Sequence, residues 1–234
     1  MDTNVVLITG AGRGIGKALA IGLSRAGYTV VATARETTDL DQLDSRLTSE
    51  HLLERCDITS YEDCQSVVKA AVEKYGRIDV LINNAGGKYV KTSLLESAKE
   101  DIDSVFDTQV KGTAYMIKCV LEQMAKQKSG RIYTITYAPY RLGLHLLDQK
   151  TLHSASLFGK AALADVVALE AKNYGVHSIP VFISNVASRV DIDDPVDPAE
   201  KSNSLSEVVD TILSDINSGK ETKEIFVTPS SQRQ

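Results

Sequence analysis

The stretch Val5 to Gly16, V-V-L-I-T-G-A-G-R-G-I-G, constrains the fold more than any other part of the chain. A short apolar run, Val5-Val6-Leu7-Ile8, is bounded by Thr9 and then glycines. That is the pattern of a buried strand entering a tight turn. Residues 17–26 follow with apolar side chains at helical spacing, so the turn opens a helix. Strand, glycine turn and helix together are the context that gives a Gly-rich motif its meaning. Without side chains at Gly10, Gly14 and Gly16, backbone approaches a pyrophosphate closely. The free N–H groups at the helix start then receive the anion. A turn that merely packs helix on strand is the alternative. The place near the N-terminus and the flanking elements favour a nucleotide, with Gly10, Arg13, Gly14, Ile15 and Gly16 as binding residues.

Residues 29–34 form a second strand that ends at Arg35. In a dinucleotide fold the end of this strand faces the adenosine ribose. An acidic residue there suits the 2′-hydroxyl of NAD, and an arginine suits the 2′-phosphate of NADP. Arg35 and Arg13 on the same side therefore point to NADP(H), although either could be an ordinary solvated charge.

The remaining pattern alternates. A short polar helix is expected over 39–47, a third strand over 52–56, and a helix to about residue 75 begun by a capping box at Thr59 and Glu62. A fourth strand, 79–82, stops at Asn83-Asn84-Ala85-Gly86-Gly87. A capping box at Ser97 and Glu100 starts a bent helical region to about residue 126, followed by a fifth strand, 132–136. Residues 137–151 read as a loop, 154–173 as a helix, 179–183 as a sixth strand and 185–203 as a loop rich in Asp, Pro and Ser. A third capping box, Ser204 and Glu207, starts a helix ending near Gly219, and 224–228 is a last strand before a polar tail, 229–234. Alternation of this kind implies an α/β fold, a doubly wound Rossmann-type parallel sheet with helices on both faces. With 234 residues, 43% apolar, and no internal repeat or linker, residues 1–234 are expected to form a single domain.

Bulk properties exclude several classes. The net charge is −5 without a basic cluster, which argues against nucleic acid. No apolar run approaches a membrane span, and the first strand leaves no room for a signal peptide. Cys56, Cys64 and Cys119 lack metal-type spacing, so no metal is expected, and reduced thiols fit a cytoplasmic setting.

In order and spacing, Thr9-Gly-Ala-Gly-Arg-Gly-Ile-Gly16, Asp57-Ile58, Asn83-Asn-Ala-Gly86 and Gly130-Arg-Ile132 resemble the short-chain dehydrogenase/reductase family over nearly the whole chain. The resemblance implies a nicotinamide cofactor, Asp57 and Ile58 by the adenine, and Asn84, Ala85 and Gly86 lining the cofactor cleft. It also implies a homo-oligomer, dimer or tetramer, with the helices from Asp103 and Ser154 as candidate interfaces. The family's chemistry is hydride transfer between nicotinamide and a carbonyl or alcohol. A tyrosine moves the proton, and a lysine four residues later lowers its pKa.

That apparatus is replaced here. The family serine falls on Tyr137 and the asparagine on Gln109. One alignment anchors on Lys160 and gives Ser156 in place of the tyrosine. The preferred, ungapped one gives His153 for the tyrosine and Leu157 for the lysine. The family's proline-glycine turn falls on Ile183-Ser184, with Val186 just beyond, near the nicotinamide. Three readings follow. The chain is an NADPH-dependent reductase of a small carbonyl or imine whose acid is His153 or Tyr137, with Tyr140 weaker. It performs a non-redox isomerisation, elimination or cyclisation. Or it is a non-catalytic NADP(H)-binding regulator. His153 facing solvent and Tyr137 packed in a pocket wall are the plain alternatives. Lys160 either reaches the nicotinamide ribose or is a solvated lysine one turn past the family position.

Overall fold

The computed structural model describes residues 4–87, 90–137, 150–184, 186 and 203–228. Seven parallel strands form one sheet: β1 (Val5–Thr9), β2 (Thr29–Ala34), β3 (His51–Arg55), β4 (Val80–Asn83), β5 (Gly130–Tyr137), β6 (Val176–Ile183) and β7 (Ile225–Val227), in the order β3-β2-β1-β4-β5-β6-β7. Every residue of β1 and β2 is buried, which is why neither shows a polar face, the threonines of β2 included. At the sheet edge β3 is half-buried and carries Glu54 and Arg55, charges that discourage pairing with another chain.

Helices α1 (Gly14–Arg25), α2 (Thr37–Asp44) and α7 (Leu205–Ser218) cover the face that receives Val6 and Ile8. Helices α3 (Tyr61–Tyr75), α5 (Thr113–Gln127) and α6 (Thr151–Ala171) cover the face that receives Val5 and Leu7. Successive strand residues thus serve two separate cores, as a period of two requires.

Helix starts show where local signals were overridden. Ser204 and Glu207 form the expected capping box on α7. On α3 the cap is Ser60, whose hydroxyl accepts from Asp63 N at 3.1 Å, because Thr59 is turned back onto Asp57 Oδ1 at 2.8 Å. The box expected at Ser97 does not form. Its hydroxyl donates to Ser93 O at 2.8 Å, and α4 (Lys99–Phe106) starts behind Ala98. The bend in the following region is a π-helical turn, Asp107–Gly112, between α4 and α5.

Helix α6 starts three residues before its expected position and is the long central element of its layer. With the short 3₁₀ turn Lys172–Tyr174 it runs 24 residues and, by length and composition alone, is long and apolar enough to cross a membrane. The reason is that it is apolar on all sides. Leu157, Ala161, Ala164 and Val167 are buried, while Phe158, Val166 and Leu169 face outward. Of the expected loops, 137–151 and 185–203, residues 138–149, 185 and 187–202 lie outside the described residues, as do the tail from 229 and the candidate Tyr140.

Candidate functional site

The chain runs outward in opposite directions from β1 and β4, which are neighbours in the sheet. Their carboxyl ends therefore open the crevice where doubly wound sheets bind ligands. The glycine turn sits there. Gly10 has φ +66°, and a Cβ on it would stand 2.9 Å from Ala85 Cα. A Cβ on Gly16 would stand 2.2 Å from Gly10 O and 2.4 Å from Asn84 Nδ2. Neither position admits a side chain.

The turn is clasped to the end of β4. Asn84 Nδ2 donates to Thr9 O at 3.1 Å and Gly10 O at 3.0 Å. Thr9 Oγ1 accepts from Asn84 N and Ala85 N, both at 3.1 Å, and donates to Ile82 O at 3.4 Å. Ala11 N donates to Thr33 O at 2.8 Å and ties the turn to β2. Helix α1 then begins with no side-chain cap at Arg13 and no acidic residue in its first turn. Its N–H groups and positive dipole end are open to an anion.

Arg13 and Arg35 are both exposed beside this turn, and among the described residues neither is paired with a carboxylate. Asp39, from the first turn of α2, packs onto Gly12, where a Cβ would lie 2.6 Å from its own. At the end of β3 the Asp57 carboxylate accepts from Thr59 N at 2.9 Å, and Asp57 N donates to Asp63 Oδ2 at 3.0 Å. That N–H is the first cause holding the Asp63 carboxyl below its ordinary pKa. Ile58 is buried and packs over Gly112 of the π turn. Val186 is half-buried against the α1–α7 core and bridges to Asn203.

On the other side of the crevice, Tyr137 ends β5, half-buried and paired with Ile183. Thr136 Oγ1 donates to Leu157 O at 3.1 Å, which fixes α6 against the strand end. Spacings of four and three place His153, Leu157 and Lys160 on one face of α6. His153 is half-buried, and desolvation first, then the nearby Lys150 charge, pushes its pKa below the ordinary histidine value. Ser156 is fully buried and its hydroxyl donates to His153 O at 3.0 Å.

Lys160 is not a solvated lysine. It is 1% exposed, and its Nζ donates to Ala85 O at 3.0 Å. Burial pulls its pKa down to about 7. Gln109 is buried in the π turn with its amide 3.3 Å from where a Gly86 Cβ would be. Among the described residues its Oε1 has no hydrogen-bond partner, and neither have Asn83 Nδ2, Thr134 Oγ1 and Thr113 Oγ1. Asn83 and Thr134 are register partners on the α5 side of the sheet, a polar seam suited to ordered water.

Lys160, Ala85, Gly86 and Gln109 thus meet at one end of β4, while Tyr137 and His153 stand further along β5 and α6. Reading the sequence missed Thr9 and Asp39 as parts of the site. Thr9 carried one signal, a hydroxyl placed just before the glycines. Asp39 carried none. No group of three His, Cys, Asp or Glu able to hold a metal occurs among the described residues. The three cysteines are free and buried.

The family model for short chain dehydrogenases matches residues 4–195. An NADPH-dependent pterin aldehyde reductase of Arabidopsis thaliana is 35% identical over 167 residues, 70% of this chain and 68% of that protein. A sepiapterin reductase of Chlorobaculum tepidum is 30% identical over 184 residues, 74% and 73% of the two chains. Among solved structures, an alcohol dehydrogenase from the archaeon Thermococcus sibiricus, complexed with 5-hydroxy-NADP, superposes with a TM-score of 0.86 at 22% identity, covering 99% of each chain.

Proposed function

Because the chain belongs to the short-chain dehydrogenase family, we propose that it is an NADPH-dependent reductase of a small organic substrate bearing a carbonyl or imine. The observation that carries this reading is the clasped glycine turn. Its backbone is closed to side chains at Gly10 and Gly16 and leads into a helix start that no side chain caps. That cradle fits a pyrophosphate, and the exposed Arg13 and Arg35 fit a 2′-phosphate. When bound, the dinucleotide supplies the hydride. Asp57 and Ile58 border the adenine, Asn84, Ala85 and Gly86 line the crevice, and Val186 closes it near the nicotinamide. The names of the Arabidopsis and Chlorobaculum relatives support reduction of a small, ring-bearing carbonyl compound.

In this reading a non-standard proton donor replaces the family's acid, and the remaining residues orient the substrate and exclude water. Tyr137 and His153 shape the substrate end of the crevice, and Gln109 and Lys160 hold its floor at Ala85–Gly86. The test is NADPH consumption at 340 nm with aldehydes, ketones, imines and pterin-type carbonyls. Turnover of one class supports the reading. Tight NADPH binding without turnover favours the second reading, a non-redox enzyme or an NADP(H)-binding regulator, which the replacement of the tyrosine and lysine positions by His153 and Leu157 supports.

A homodimer through α6 is part of the same proposal. Phe158, Val166 and Leu169 are 47%, 53% and 76% exposed on its outer side. Large exposed apolar side chains grouped on one helix suit an interface. Light scattering should give twice the chain mass, and Leu169→Glu should reduce it to one.

A further inference from the structure

We propose that the ε-amino group of Lys160 is the proton donor of the reduction, standing in for the absent phenol. The proposal rests on the reductase reading and names the group that completes it.

The placement is specific. Lys160 reaches from the buried face of α6 to the end of β4, and its Nζ spends one N–H on Ala85 O. Among the described residues that carbonyl is its only hydrogen-bond partner. Two further N–H bonds remain for an oxygen seated beside Ala85 and Gly86. Gly86 has no side chain to block the approach, and Gln109 closes the far side. A buried lysine without a carboxylate is costly, so a protein that only needed to brace Ala85 would be better served by a neutral donor.

The surroundings set its proton affinity. Around Lys160, its Nζ meets Ala85 O just past β4, Val110 of the π turn packs on the neighbouring Gly159, and Thr136 of β5 bonds Leu157 O one turn back. None is a carboxylate. Asp107 and Lys111 of the π turn are partly exposed and pair with each other. Burial is the sole cause that lowers the amine to about 7, where donor and acceptor forms coexist at neutral pH. His153 is the weaker candidate, since desolvation and the Lys150 charge disfavour its imidazolium.

The step balances. The bound dinucleotide would supply hydride to the carbonyl carbon, and the C=O π pair would move to oxygen. A proton passes from Lys160 Nζ to that oxygen, giving the alcohol. The lysine is left as a neutral amine and is reprotonated from solvent.

Two measurements test this. In the first, protein labelled with ¹³C-lysine is titrated by NMR without nucleotide. One lysine signal should titrate near pH 7 and be missing in Lys160→Met. A midpoint in the ordinary lysine range overturns the assignment. In the second, kcat is followed against pH with a carbonyl substrate. The wild type should lose rate on the alkaline side with the same midpoint. Lys160→Met should lower kcat roughly 100-fold or more, well beyond any accompanying loss of NADPH affinity, and Lys160→Arg should not restore the rate because a guanidinium does not release its proton. An alkaline limb that survives in Lys160→Met, or that is lost in His153→Gln instead, overturns the proposal and leaves the reductase reading standing. A wild type that reduces no substrate overturns both.

Discussion

Thr9→Val isolates the clasp that holds the glycine turn against β4. Thr9 is 1% exposed, and valine keeps its shape while removing the oxygen that accepts from Asn84 N and Ala85 N. Asn84 N keeps a second acceptor, Ile82 O at 3.0 Å. Ala85 N keeps none among the described residues, so one backbone donor is orphaned. An orphaned donor costs about 1–3 kcal/mol when buried, and Ala85 is half-buried, so this range is the ceiling. With a urea slope of about 2 kcal/mol/M, the midpoint should fall by at most roughly 0.5–1.5 M. Thr9→Ser is the control. It retains the acceptor and gives up one buried methyl, about 1 kcal/mol. Urea unfolding followed by circular dichroism reads stability, and calorimetry reads nucleotide affinity. Thr9→Val should lose both, and Thr9→Ser should keep its affinity. A Thr9→Val protein within about 0.5 kcal/mol of wild type, with unchanged nucleotide affinity, would refute the clasp.

Other outcomes follow from single groups. Ser204→Ala removes the capping box on α7, which packs against α1, and should cost about 1 kcal/mol in urea unfolding without altering nucleotide binding. Arg35→Asp should lower the NADPH-to-NADH affinity ratio roughly 10- to 100-fold in calorimetry, because a charge-assisted bond to the 2′-phosphate is replaced by repulsion. Lys160 gives a pH dependence of definite sign. Its folded pKa, about 7, lies below the unfolded lysine value, so between the two the unfolded chain binds the extra proton and stability rises with pH. The cost of the buried charge is therefore fully present below pH 7 and is relieved as the pH climbs towards the unfolded value. The stability of wild type relative to Lys160→Met should increase by up to about 4 kcal/mol between pH 7 and 10. A flat difference would contradict the buried amine.

How much of this was legible depends on the range of the interactions. The runs 5–8 and 29–34 are buried on both faces, so their lack of any charged residue marked them as central strands without any knowledge of their partners. Ser204 capped as expected because its own helix supplies both bonds. Ser97 did not, because Ser93 O, four residues back, takes its hydroxyl. Lys160 could not be placed beforehand. Helix α6 is apolar all round, so no amphipathic stripe tells which face meets the sheet, and the carbonyl that receives the lysine is 75 residues away in sequence. The same distance hid Thr9, whose partners Asn84 and Ala85 come from the end of another strand. The glycines, by contrast, announced their role because the constraint is local backbone geometry that only a residue without a side chain meets.

The most direct measurement is calorimetric titration of the purified protein with NADPH and NADH, alongside Gly16→Val. NADPH should bind, more tightly than NADH, and Gly16→Val should abolish binding because its side chain would collide with Gly10 O and Asn84 Nδ2. Binding of neither nucleotide by the wild type, or NADH binding the more tightly, would contradict the nucleotide site and the reductase built upon it.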